Sequence, residues 1–188
     1  MQNIRFQELH TPRLELRALT MEDLPLYYER LGSSEAVTRY MLWKPHTSLD
    51  ESAASIQKAL RRYETGDSCR WAITLKTNGE LIGIIDLIPV ERSAGTCSFA
   101  YMLCEEFWGM GYGTEALQAV VDYAFQFCGA ESVQADHFAE NPASGAVMRK
   151  VGMTFLGTIS GKYEKNGVAY DAPQYRITKE EWLSRQLA

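Results

Sequence analysis

The 188-residue chain is poor in the residues that build metal sites: its three histidines (His10, His46 and His137) are scattered. Its four cysteines, Cys69, Cys97, Cys104 and Cys128, include no C-x-x-C pair. A metal site is therefore not expected, and the thiols read as buried side chains in a reducing compartment. No apolar run approaches the roughly 18 residues of a membrane span. The opening Met1-Gln2-Asn3-Ile4-Arg5 lacks the apolar core of a signal peptide, so a cytoplasmic protein with no membrane partner is expected. There is no cluster of lysine and arginine, and 19 basic residues against 24 acidic ones leave a net charge of −5. That balance argues against nucleic acid as a partner and favours an enzyme with a small or cationic substrate. No repeat, low-complexity tract or Pro/Gly/Ser linker interrupts the chain, so one domain is expected over residues 1–188.

What is present suits a globular core. Apolar residues make up 46% and charged residues 23%, and a chain of this length can bury roughly 70% of its unfolded surface. Residues 13–19 alternate apolar and polar as a half-buried strand does. Thr20 then caps a helix, and Ser48-Leu49-Asp50-Glu51 reads as a capping box for a second helix running to about Tyr63. Strands at about 69–76 and 80–88 flank Asn78-Gly79, which suits a type I′ turn, and a third strand lies near 96–104. Apolar residues at 117, 120, 121, 124, 125 and 128 form the stripe of a helix from Thr114 to Cys128, ended by Gly129. A strand at 131–138 follows, then a short helix capped by Asn141, opened by Pro142 and closed by Gly152. A hairpin at about 153–164 and 169–177 turns at Asn166-Gly167, and Thr178-Lys179-Glu180-Glu181 caps a last helix. The order, βαα–βββ–αβ–α–ββ, predicts an α+β fold with a mixed sheet covered by helices.

The segment Gly109-Met110-Gly111-Tyr112-Gly113-Thr114 places alternate glycines between a strand and a helix. Backbone without Cβ atoms at a helix start presents free N–H groups and the positive end of the dipole, a combination that binds phosphate. A turn that needs glycine only for its positive φ is the structural alternative. The spacing is neither the dinucleotide fingerprint nor a P-loop, leaving a pyrophosphate of another kind, such as that of coenzyme A.

This segment, continued as Glu115-Ala116, resembles the acetyl-CoA-binding motif of the GNAT N-acetyltransferases, in particular the RimJ/RimL-like branch. The resemblance extends to Thr11-Pro12-Arg13-Leu14-Glu15-Leu16-Arg17, Trp43-Lys44-Pro45-His46-Thr47, Asn141-Pro142-Ala143-Ser144 and Lys150-Val151-Gly152-Met153, covering about residues 11–178. It implies the GNAT fold, a mostly antiparallel sheet splayed at the acetyl-CoA site with helices on both faces. It also implies that acetyl-CoA is the acyl donor, with no metal. Gly109, Met110, Gly111, Tyr112, Gly113 and Thr114 would hold the pyrophosphate, and Tyr101, Met102 and Leu103 would pair with the pantetheine arm. Asn141 would bond that arm, and Ser144 would lie beside the sulfur and protonate the leaving thiolate.

For the acceptor side, Trp43, His46, Tyr163, Asp171 and Tyr175 are the expected substrate-binding residues, around a cavity between the Trp43–Thr47 loop and the last hairpin. Asp171 has the alternative role of fixing its hairpin. Trp71 reads as core, Tyr27-Tyr28 as helix packing and His137 as a surface residue. The chain departs from the family at Met148, where many relatives carry a tyrosine acid, and at Ser98, where many carry a glutamate base. No general base is assigned, with Asp86, Glu91 and Glu164 as candidates through water. An α-amine of pKa about 7.7–8.0 is roughly a fifth to a third unprotonated near pH 7.4, against roughly 0.1% for a lysine. A site without a strong base therefore suits a protein or peptide N-terminal α-amine. An antibiotic or polyamine acceptor, or an acyl-CoA-binding module without catalysis, are the other readings. The expected partners are the amine acceptor and, as an option, a second copy in a homodimer.

Overall fold

The computed structural model describes residues 4–187. Two short strands, β1 (Leu9–His10) and β2 (Leu14–Ala18), lead into an irregular helical run. This comprises a 3-10 turn at Met21–Asp23, α1 (Leu24–Leu26), a π-helical turn at Tyr27–Gly32 and α2 (Glu35–Thr38). Then come α3 (Leu49–Thr65), β3 (Cys69–Leu75), β4 (Leu81–Glu91), β5 (Thr96–Leu103) and α4 (Tyr112–Phe127). The chain finishes with β6 (Ser132–Asp136), α5 (Pro142–Lys150), β7 (Thr154–Lys165), β8 (Val168–Thr178) and α6 (Lys179–Gln186). All eight strands join one sheet in the order β1-β2-β3-β4-β5-β6-β8-β7. Among the described residues, only β5 and β6 run parallel. The expected α+β GNAT fold is present, with β1 as a strand the sequence pattern did not mark.

Apolar cores lie on both faces of the sheet. On one, Leu16, Trp71, Ile85 and Phe99 meet Leu117, Val121 and Phe125 of α4 and Met148 of α5. On the other, Leu19, Ala72, Ile84 and Met102 meet Tyr27, Leu31 and Ile56. In β4 the alternation slips because Ile82 is an extra residue: Ile73 pairs with Gly83 and Thr74 with Leu81. Trp71 is fully buried, its indole N–H donating to the Gln7 carbonyl at 2.7 Å. All four cysteines are free and buried, as expected.

Three local expectations need correction. At Asn78-Gly79 the strands do pair antiparallel, yet only Gly79 has positive φ (71°). Lys76 N–H is drawn to the carbonyl of Arg13, just before β2 (3.0 Å), so the loop is longer than a two-residue type I′ turn. The later Asn166-Gly167 pair has both residues left-handed, at 54° and 76°. At α3, Ser48 Oγ accepts Glu51 N–H, but the Glu51 carboxylate reaches past it to Thr47 N–H at 2.8 Å. His137 is not a surface residue: it is 8% exposed, stacked on Tyr175, with Nδ1 on the Phe138 carbonyl at 2.7 Å.

Candidate active site

The parallel pair β5–β6 is registered only from Thr96/Ser132 to Ser98/Gln134. Beyond Ser98, β5 continues to Leu103 while β6 stays with β8, so the strands part. The β6 side of residues 99–103 is left without a strand partner, an edge onto which an extended amide-bearing ligand can add. Trp108 closes the end of this edge, its indole N–H donating to the Leu103 carbonyl at 2.8 Å.

The glycine segment stands at the mouth of that gap. Gly109 (φ 74°) and Gly111 (φ 83°) are left-handed, which a residue with a Cβ adopts only at a cost. Gly111 is the N-cap of α4 and supplies no side-chain cap, so the first-turn N–H groups are left for a ligand. A Cβ on Gly113 would already touch Leu103 and Tyr101 at 3.4 Å, so glycine also lets α4 approach β5 closely. Open donors, a helix dipole and absent Cβ atoms fit a diphosphate.

The loop is braced by residues whose role the sequence left unexplained. Arg13 donates to the Met110 carbonyl at 3.0 Å, pairs with Glu115 at 2.6 Å and lies over the Tyr112 ring. Glu115 also accepts from the Thr11 hydroxyl (2.6 Å) and Arg13 N–H (2.8 Å). Burial pushes the Glu115 carboxyl up, but these bonds from Thr11 and Arg13 outweigh it and hold its pKa below the ordinary value. The Thr11-Pro12-Arg13 run thus acts as a clamp on the first turn of α4.

Across the gap, Asn141 caps α5 by accepting Ser144 N–H, leaving its amide N–H groups uncommitted. Burial raises the pKa of the Tyr101 phenol, and the neighbouring Ser144 side chain acts in the opposite sense. Met148, one turn on, is buried in the core.

On the opposite face of the sheet lies a cavity of about 310 Å³. Its floor is Ala100, Tyr101 and Met102 of β5 with Ile84 of β4, and Trp43 and His46 form one wall. The His46 ring packs against Trp43, with centroids 4.8 Å apart, and its Nδ1 is 2.7 Å from Oγ of buried Ser52. Burial lowers the His46 pKa, partly offset by Glu51, so the imidazole is neutral at pH 7. Gly32 makes room for this ring, since a Cβ there would come within 2.7 Å of His46 Nδ1. Asp86, the cavity's carboxylate, is bound by Arg70 through two bonds of 2.8 and 3.0 Å. Tyr27 also lines the cavity, its hydroxyl hydrogen-bonded to Ser55 at 3.0 Å.

Of the residues expected on the acceptor side, Trp43 and His46 meet at this cavity, while Tyr163, Asp171 and Tyr175 lie outside its lining. Tyr175 is buried and accepts from Arg149 at 2.8 Å. The Asp171 carboxylate accepts from Gly161 N–H (2.8 Å) and the Ser160 hydroxyl (2.9 Å), holding a bulge in the last hairpin; both bonds lower its pKa. Tyr163 stacks on Phe138 and hydrogen-bonds Asp136. The hairpin nevertheless reaches the cavity wall indirectly. Lys165 Nζ donates to the carbonyls of Thr38, Arg39 and Met41 (2.9, 2.9 and 2.7 Å), fixing the segment that leads into Trp43.

A splayed strand pair beside an uncapped, glycine-lined helix start leaves room for an extended diphosphate-bearing ligand to pass through the sheet. The acetyltransferase (GNAT) domain model matches residues 13–154, and the chain belongs to this family of acetyl-CoA-dependent N-acetyltransferases. Among curated proteins it is 29% identical over 174 residues to the uncharacterized N-acetyltransferase YoaA of Bacillus subtilis, spanning 93% of this chain and 98% of that one. It is 23% identical to the spermidine N(1)-acetyltransferase of Escherichia coli over 91% of this chain and 89% of that one. Among solved structures, the RimL ribosomal alpha-N-protein acetyltransferase with coenzyme A superposes with a TM-score of 0.83 at 22% identity, covering 92% and 98% of the chains.

Proposed function

We propose that the enzyme acetylates a primary α-amine, that of a protein or peptide N-terminus. Acetyl-CoA supplies the acetyl group as a thioester, and the amine nitrogen forms the new C–N bond as the C–S bond breaks. The chain's part is to bring the two reactants together, to take one proton from the amine and to give one to the sulfur. The N–H groups at the start of α4 receive the diphosphate, and the open edge of β5 aligns the pantetheine arm. Ser144, backed by Tyr101, donates to the departing thiolate. His46 faces the acceptor as a neutral imidazole and accepts the proton released by the nitrogen.

The observation that carries this reading is the lack of a strong base at the cavity. Asp86 is committed to Arg70 through both oxygens, and His46 is a weaker base than a free imidazole. Such a site can use an amine that is already partly neutral near pH 7, as an α-amine is, far better than a lysine or polyamine nitrogen. The RimL likeness is compatible with an α-amine, and the spermidine enzyme represents the competing acceptor class. The test uses two peptides of one sequence, one with only its α-amine free and one with only a lysine side chain free, together with spermidine. Mass spectrometry and initial rates should show kcat/KM highest for the free α-amine; preference for lysine or spermidine overturns the proposal.

A further inference from the structure

The charge of the acceptor cavity runs against the charge of the chain. Lys58 and Arg62 line it from α3, four residues apart and therefore on one face of the helix, with Ser55 on the same stripe. Among the described residues neither cation has a carboxylate within ion-pair distance. The other charges on the wall cancel, because Arg70 of β3 and Asp86 of β4 hold each other. His46 is neutral, and the tyrosines at the cavity bring no formal charge to it. The net local charge is positive in a protein whose total is −5.

Two like charges at i and i+4 repel, and a cavity with this wall also repels a polycation. We infer that the acceptor carries a carboxylate close to its α-amine, and that Lys58 and Arg62 read it. This rests on the α-amine reading above and narrows its substrate class. The carboxylate has two chemical sources: an acidic side chain within the first residues of a peptide, or the main-chain carboxylate of a free α-amino acid. In either case the anion docks toward α3 while the amine points to the β5 edge and His46, so the two cations orient the nucleophile as well as attract it. Guanidinium at Arg62 can hold a carboxylate through two parallel bonds, whereas Lys58 acts as a point charge.

The experiment compares acceptors that differ only in this group. A C-terminally amidated peptide beginning with glutamate is set against its glutamine counterpart, free glutamate against its α-amide, and spermidine is added. The wild-type enzyme should favour the anionic member of at least one pair by about tenfold in kcat/KM. The pair that shows the preference identifies the source. Lys58→Gln and Arg62→Gln should each shrink that ratio by about three- to tenfold, with the KM for acetyl-CoA staying at its wild-type value. Lys58 is exposed on α3, so its replacement gives a folded protein even where the Arg62 variant does not. Equal rates within both pairs, a preference for spermidine, variants that leave the ratio unchanged, or variants that raise the KM for acetyl-CoA would each overturn the inference. Absence of transfer to any amine would instead overturn the α-amine reading and this one with it.

Discussion

The proposed donor side and the proposed acceptor side of the sheet are built on different principles. The donor side is mostly backbone: glycines with positive φ, the first turn of α4 and the unpaired edge of β5. The acceptor side is mostly side chain, drawn from the loop at Trp43, from α3 and from the middle of β3 and β4. Backbone sites are written locally, as glycine spacing and helix caps. Side-chain sites depend on which strands become neighbours, and so emerge only with the fold. A ligand common to a family can be held by the first kind, while the second kind is free to vary with the acceptor.

The largest expected effect tests the donor side. Gly111→Val forces a branched residue to φ 83° beside Arg13, whose Nη2 would lie 3.4 Å from the new Cβ. Affinity for CoA in calorimetry should fall about 10–100-fold, as expected for losing charge-assisted bonds to phosphate, while far-UV circular dichroism is retained. Unchanged affinity would place the diphosphate elsewhere. Next comes Ser144→Ala, which should lower kcat about 10–100-fold with little change in CoA affinity. Tyr101→Phe should act in the same direction if the phenol backs that serine; full kcat in both would remove the pair from proton transfer.

On the acceptor side, Asp86→Ala strands the Arg70 guanidinium in a largely buried position. The expected cost is about 3 kcal/mol, a fall in Tm of roughly 6–12 °C, measured by calorimetry. A Tm within a degree of wild type would mean the pair is solvated and Asp86 available as a base. The smallest effect concerns pH. Glu115 has a folded pKa below its unfolded value, so its contribution is present above about pH 4.5 and lost as pH falls through the folded pKa. Glu115→Gln should therefore flatten the acid limb of Tm against pH below about 4.5. An unaltered limb would show that the clamp on α4 contributes nothing there.

The same division explains what could be read in advance. Alternation and capping residues placed β2, α4, α5 and the last hairpin within a few residues, because each signal is local. The glycine turn was legible in its spacing and the resemblance implied the strand gap, but neither said why Thr11 and Arg13 accompany them; that required bringing the segment before β2 beside α4. Asp86 was only a distant candidate for a base until pairing with β3 placed it against Arg70. Arg62 and Lys58 carried no signal at all, being ordinary solvent-side residues by pattern. The net charge of −5 favoured a small or cationic substrate, but a total does not say which face holds the unpaired charges. Hairpin chemistry shows the same limit: Asn-Gly makes the tight left-handed turn at 166–167 but not at 78–79, where Arg13 captures a backbone donor.

The proposed acceptor is an amine that is already neutral, at a cavity with no strong base to strip an ammonium ion. The pH dependence of kcat/KM for a peptide with only its α-amine free tests it most directly. A neutral α-amine acceptor should give a rise of unit slope to a plateau set by the acceptor itself, at about pH 7.7–8.0. A plateau reached below about pH 6.5, the ordinary range of an imidazole or carboxylate on the enzyme, would contradict it.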